Sequence, residues 1–126
     1  MHYRTPLSRV KGLGSAKSGT GHWWMQRITA VALVPLSFWL LKFLGLSLAA
    51  PYQQTVAWLV SPINSLCIVA WIIAVFYHAA LGLQVVIEDY IAAEGPKIIS
   101  IWTANLAFLF LAIAALLAVF RIVSIG

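Results

Sequence analysis

Charged and polar positions along the chain fall into short clusters that separate three long apolar runs, and this spacing predicts three membrane-spanning helices. The first run, Ile28 to Ala50, is interrupted by Lys42 near its far end, where the aliphatic stem snorkels toward the headgroups. Pro51, Tyr52, Gln53, Gln54 and Thr55 end it. After the short apolar stretch Val56 to Val60, Ser61-Pro62 marks a second boundary with proline near a helix start, so the connection is predicted to be an uncharged loop. The second run, Ile63 to Ile87, has no residue charged at neutral pH and contains His78; it closes at Glu88-Asp89-Tyr90. Gly95-Pro96 is expected to turn the chain into the third run, Ile98 to Phe120, with Trp102 near its start and Arg121 at its end as interface anchors. The predicted fold class is an all-α membrane protein. It forms one membrane-anchor domain over 1–126, with an arm at 1–22 and helices at about 23–50, 62–90 and 98–121. No internal repeat is visible.

Composition supports the bilayer as solvent. Of 126 residues 63% are hydrophobic and 9% charged, and the mean hydropathy is +0.96, which excludes a soluble globular domain and a disordered chain. Cys67 is the one cysteine, so neither an intrachain disulfide nor a thiolate cluster can be built from this chain alone. Three passes of ~20 residues leave no room for a separate catalytic domain, so any enzymology is shared with partners.

Charge sets the orientation. Arg4, Arg9, Lys11, Lys17 and Arg27 precede the first apolar run with no acid among them, which places the N-terminus in the cytoplasm and, after three passes, the C-terminus outside. Lys97 between the second and third runs agrees. The basic arm and an apolar run longer than the ~7–15 residues of a signal core favour an uncleaved anchor over a cleaved signal peptide. The net charge of +5 has no aromatic stacking platform around it, so topology explains it better than nucleic-acid binding does.

An ionisable side chain inside an uncharged span marks a functional site, which singles out His78. Ala74 and Gly82, one turn to either side, strip the same helix face of bulk, so a flat macrocycle fits there and imidazole is an ordinary axial ligand of haem iron. The same pattern serves small-residue helix packing, with His78 hydrogen-bonded to a neighbouring helix. A bis-histidine site needs a second ligand at similar depth. His2 lies in the arm and His22 before the first run, so the second histidine is expected from another chain. Glu88, Asp89 and Tyr90 end the same helix; acids there oppose the helix dipole, although a solvated helix end accommodates them. A tyrosine hydroxyl donates a hydrogen bond to a quinone carbonyl at the membrane boundary, and a nearby carboxylate relays protons.

The stretch His78-Ala79-Ala80-Leu81-Gly82-Leu83-Gln84-Val85-Val86-Ile87-Glu88-Asp89-Tyr90 resembles the H-x3-G-x6-D-Y segment of the hydrophobic membrane anchor subunits of succinate dehydrogenase, respiratory complex II. Arg27-Ile28-Thr29-Ala30 is similar to the R-x-[TS]-[AG] start of that family's first helix, and His22-Trp23-Trp24-Met25-Gln26-Arg27 to its alphaproteobacterial form. The resemblance implies three helices packing with a companion cytochrome b subunit in the bacterial inner membrane. It implies that His78 is one axial ligand of haem b shared with a histidine of that companion, and so a ligand of the haem iron. It implies that Tyr90 contacts ubiquinone with Asp89 beside it, and that Arg27 lies near the haem propionates or the quinone pocket. FAD and the iron–sulfur clusters belong to partner flavoprotein and iron–sulfur subunits. The chain then helps to pass electrons from succinate to ubiquinone in the tricarboxylic acid cycle and respiratory chain.

Trp23 and Trp24 read as interfacial anchors, and Asn105 as interhelical glue, because an unpaired amide in hydrocarbon is costly. Two other classes compete: a small proton-coupled transporter with His78 as relay, which lacks the inverted repeat usual for such sites, and a haem-free structural anchor with His78 as packing glue.

Overall fold

The computed structural model describes residues 16–125; His2, Arg4, Arg9 and Lys11 of the arm lie outside the described residues. The chain forms four helices, α1 (Ala16–Ala49), α2 (Tyr52–Val60), α3 (Pro62–Tyr90) and α4 (Glu94–Ile125). Three stretches, Thr20–Ala49, Pro62–Tyr90 and Glu94–Ile125, are long and apolar enough to cross a membrane. Helices suit these sequences because every backbone N–H and C=O inside hydrocarbon must be paired within the segment. Helix α1 runs on through Pro35, which removes one donor and leaves the Val31 carbonyl free, a defect that membrane helices tolerate.

Helix α3 is central. Helices α1 and α4 pack on it rather than on each other, and α2 caps the bundle at one end by touching all three. Large apolar side chains such as Phe38, Leu41, Phe110 and Phe120 face outward, where lipid or another subunit replaces water.

The connection expected to be an uncharged loop is the helix α2. Pro51 does separate it from α1, which ends at Ala49, but a new helix begins at once. Pro51 stands at the N-cap position, and its carbonyl accepts from Gln54 N–H at 3.0 Å and Thr55 N–H at 3.2 Å. Thr55, Val56 and Leu59 recur at the spacing of one helix face and are buried together. Nine residues are too few to stand alone, so tertiary packing makes this helix.

Two boundaries also differ from the expected ones. Among the described residues α1 is already helical at Ala16, ahead of residue 23, because Trp23 and Trp24 mark a change of solvent and not the end of helical hydrogen bonding. Helix α4 starts at Glu94, so the chain turns at residues 91–93 and Gly95-Pro96 lies within the first helical turn. Pro96 fits there because the first N–H groups of a helix have no intrahelical acceptor.

The tightest packing is at the α2 end, where Leu59, 1% exposed, meets Ile68 and Ile72 beneath Trp39, Trp58 and Trp71. Polar pairs hold the same region. Trp39 Nε1 donates to Asn64 Oδ1 at 3.2 Å, Asn64 Nδ2 donates to the Trp58 carbonyl at 2.9 Å, and Trp71 Nε1 donates to Ser37 Oγ at 3.1 Å. Asn64 thus joins α1, α2 and α3.

Asn64→Leu removes two of these hydrogen bonds at little cost in volume and is expected to destabilise the bundle by about 1 kcal/mol, from roughly 0.6 kcal/mol per interhelical bond in a membrane. A lower denaturation midpoint of the detergent-extracted protein checks this. Ser65→Ala, at a hydroxyl that bonds the Pro62 carbonyl of its own helix, leaves the midpoint unchanged.

Candidate functional site

Helices α1 and α3 run antiparallel, and their partners descend one helix as they climb the other: Gln26 lies against Gly82, Thr29 against His78, Ser37 against Trp71. His78 is half-buried on this seam. Its Nδ1 lies 3.0 Å from Thr29 Oγ1. The same hydroxyl is 2.8 Å from the Met25 carbonyl and 3.2 Å from that of Gln26. Among the described residues, no group of three or more His, Cys, Asp or Glu side chains stands ready to hold a bare metal ion. Any iron at His78 therefore needs most of its ligands from elsewhere.

Of the two small residues flanking His78, Gly82 takes part in helix packing. A Cβ there would lie 3.5 Å from Gln26 Nε2, which is ordinary contact. Gln26 lies against Gly82 on the seam, and Gln26 Oε1 is buried there without a partner among the described residues.

Asp89 and Tyr90 are on the same helix but not at the same level. Helix α3 is continuous from Pro62 to Tyr90, so Tyr90 lies ~18 Å beyond His78 along the axis, at 1.5 Å rise per residue. Tyr90 is 84% exposed and Glu88 and Asp89 are exposed beside it. Glu88 Oε2 accepts a hydrogen bond from Gln84 Nε2 at 3.3 Å, and Lys97 pairs with Glu94 at 3.5 Å across the turn. This end of the bundle is polar and open, in contrast to the α2 end.

Arg27, two residues before Thr29 on α1, is exposed, with its guanidinium carbon 4.9 Å from the centroid of the Trp23 ring. Trp23 in turn meets Trp24 edge-on at 5.0 Å. A stacked guanidinium keeps its in-plane N–H groups available for a carboxylate. The structure thus groups Glu88, Asp89 and Tyr90 at one end of α3, whereas the α1–α3 register puts Arg27 about one turn from the level of His78.

Sequence reasoning missed two contributors. Thr29 was visible only as a member of the Arg27-Ile28-Thr29-Ala30 stretch, and its pairing with His78 spans 49 positions. His22, treated as a surface residue, is exposed but also lines a cavity of about 490 Å³ with Tyr77, Gln84 and Asn105. Asn105 faces this cavity between α3 and α4.

Comparison with known proteins bears on the whole chain. The family model described as "Succinate dehydrogenase/Fumarate reductase transmembrane subunit" matches residues 1–120. The succinate dehydrogenase hydrophobic membrane anchor subunit of Rickettsia bellii is 39% identical over 118 residues, covering 94% of each chain. That of Rickettsia conorii is 36% identical over 91 residues, 71% of this chain and 72% of the relative. The succinate dehydrogenase membrane anchor subunit of Reclinomonas americana is 34% identical over 89 residues, 68% of this chain and 74% of the relative. No solved structure matches. Three spanning helices, a histidine within the central one and kinship along nearly the entire length agree that the chain belongs to the succinate dehydrogenase/fumarate reductase transmembrane subunit family, as a membrane anchor subunit of a succinate dehydrogenase.

Proposed function

We propose that this anchor contributes one axial ligand, His78, to a haem b shared with a companion cytochrome b subunit, and part of a ubiquinone-reduction site at Tyr90 and Asp89. Succinate is oxidised on a flavoprotein partner, and electrons reach the membrane through an iron–sulfur partner. The observation that carries this reading is the division of α3: a half-buried imidazole within the span and an exposed phenol flanked by acids at its polar end. One group suits a buried cofactor, the other a site that meets water and an extrinsic partner.

The donor chemistry at His78 fits haem. One ring nitrogen is occupied by Thr29, which leaves the other as the single protein donor this chain would offer to an iron whose remaining ligands come from a porphyrin and a second subunit. A haem b bound there supplies a one-electron carrier. Arg27, exposed and stacked on Trp23, suits the carboxylates of the propionates or the rim of the quinone pocket. At the open end the Tyr90 hydroxyl donates a hydrogen bond to a quinone carbonyl oxygen. Asp89 takes protons from the aqueous side as the ring accepts two electrons and two protons. The basic residues Lys17 and Arg27 near the start of the first span support a cytoplasmic N-terminus in the bacterial inner membrane, which puts Tyr90 on the cytoplasmic side.

Each element has its own test. His78→Leu in the assembled complex is expected to abolish or strongly perturb the b-type absorption band while the chain still inserts, since no charge is added; an unchanged low-spin spectrum removes His78 from the haem. Tyr90→Phe is expected to slow ubiquinone reduction several-fold, the effect of losing a hydrogen bond of about 0.5–1.5 kcal/mol, while sparing succinate oxidation by an artificial acceptor. Asp89→Asn acts in the same direction. Equal loss of both activities would indicate failed assembly. For topology, alkaline phosphatase fused after Gly126 is expected to be active, and a cytoplasm-only reporter at the same position inactive.

A further inference from the structure

Thr29 is a buried polar residue of α1, 6% exposed, and its hydroxyl is crowded by three polar neighbours: the Met25 carbonyl at 2.8 Å, the Gln26 carbonyl at 3.2 Å and His78 Nδ1 at 3.0 Å. A hydroxyl carries one proton and two lone pairs, and a carbonyl only accepts. At 2.8 Å the contact with Met25 is favourable only if the Thr29 proton lies between the two oxygens. The lone pairs of Oγ1 then face the imidazole, so the close approach of Nδ1 requires a proton on Nδ1 that donates to Thr29. A neutral imidazole has one such proton, and Nε2 is left with its lone pair.

We propose that Thr29 is a positioning residue that holds His78 as the Nδ1–H tautomer and presents Nε2 as the ligating nitrogen. This rests on the haem reading above and deepens it. The alternative tautomer, protonated at Nε2, has no lone pair for iron and would place two acceptors against each other at 3.0 Å. The bonds also act in series: a hydroxyl that donates to Met25 is a stronger acceptor toward Nδ1–H. A ligating histidine whose other nitrogen donates to such an acceptor is held in orientation and made more electron-rich. An electron-rich ligand favours the ferric state and lowers the reduction potential of the haem.

Helix geometry gives the contact its rigidity. Thr29 bonds back to its own preceding turn, so its side chain is tied to the α1 backbone. One turn away, Gln26 packs against Gly82. The hydroxyl therefore cannot follow the imidazole if the ring turns.

The experiment uses the assembled complex in membranes, with Thr29→Val and Thr29→Ser compared for subunit assembly on native gels, haem content, haem midpoint potential and the ferric electron paramagnetic resonance signal. Thr29→Ser keeps the hydroxyl and is expected to match the parent in all four. Thr29→Val keeps the branched shape and loses the acceptor. It is expected to assemble, with the preference of the bound iron for its ferric state reduced by a factor on the order of ten and an altered resonance signal, or with haem lost from the assembled complex. A tenfold change is an upward shift of about 59 mV for one electron. Parental potential and resonance in Thr29→Val, or a Thr29→Ser variant that behaves like Thr29→Val, would overturn the proposal. If Thr29→Val does not assemble, Thr29→Ala is read by the same criteria, and failure of both beside an assembled Thr29→Ser would assign Thr29 a packing role only. His78→Leu separates the two levels of inference. An unaltered haem in His78→Leu sinks the haem reading itself, whereas haem lost with His78 but indifferent to Thr29 sinks only the role given to the threonine.

Discussion

Inside hydrocarbon, bringing one apolar helix against another releases no water, so the hydrophobic effect does not tell α1 where to sit on α3. The constraint that does is the need to pair polar side chains away from solvent. Thr29 with His78, Ser37 with Trp71 and Trp39 with Asn64 are spread along the same antiparallel seam, and a slip of one residue would misalign all three together. On the same seam Gln26 lies against Gly82. By contrast α4, which contains no buried residue, meets α3 through contacts such as Phe76 with Phe108 at 6.3 Å between ring centroids. Its placement is correspondingly less restricted by polar geometry.

This division has a functional counterpart. At the α2 end the bundle is closed by Leu59, Ile68 and Ile72 under a cover of aromatic rings. The opposite end leaves Trp23, Trp24, Glu88, Asp89 and Tyr90 exposed. On the proposed function, a subunit that anchors extrinsic partners and admits a quinone needs one end that holds the helices together and another that is left for others to complete. On the proposed reading, the seam links the two tasks. The residues that set the register of α1 on α3 also orient the imidazole, so a change in helix packing near Gly82 would be felt at His78.

Much of this was legible in the order of residues. The three spans, the boundary at Pro62 and the prominence of His78 follow from where polar groups are missing, because a bilayer penalises a charge or an unpaired amide wherever it falls in a span. The candidate residues Arg27, His78, Asp89 and Tyr90 were visible as a pattern along the chain. Local patterning was weaker at the ends. The stretch after Pro51 reads as a loop until the burial of Thr55, Val56 and Leu59 is seen, and Pro96 reads as a turn until it is found in the first turn of α4.

What the sequence determined by itself was thus the solvent, the number of spans and the set of candidate side chains. Tertiary structure alone decided which nitrogen of His78 is engaged, that Gly82 receives Gln26, and that nine residues after Pro51 form a helix. The physical reason is one of range. Transfer from water to lipid acts on each residue independently and can be read from composition in a window, whereas a hydrogen bond between residues 29 and 78 exists only when two helices meet at a particular rotation and depth.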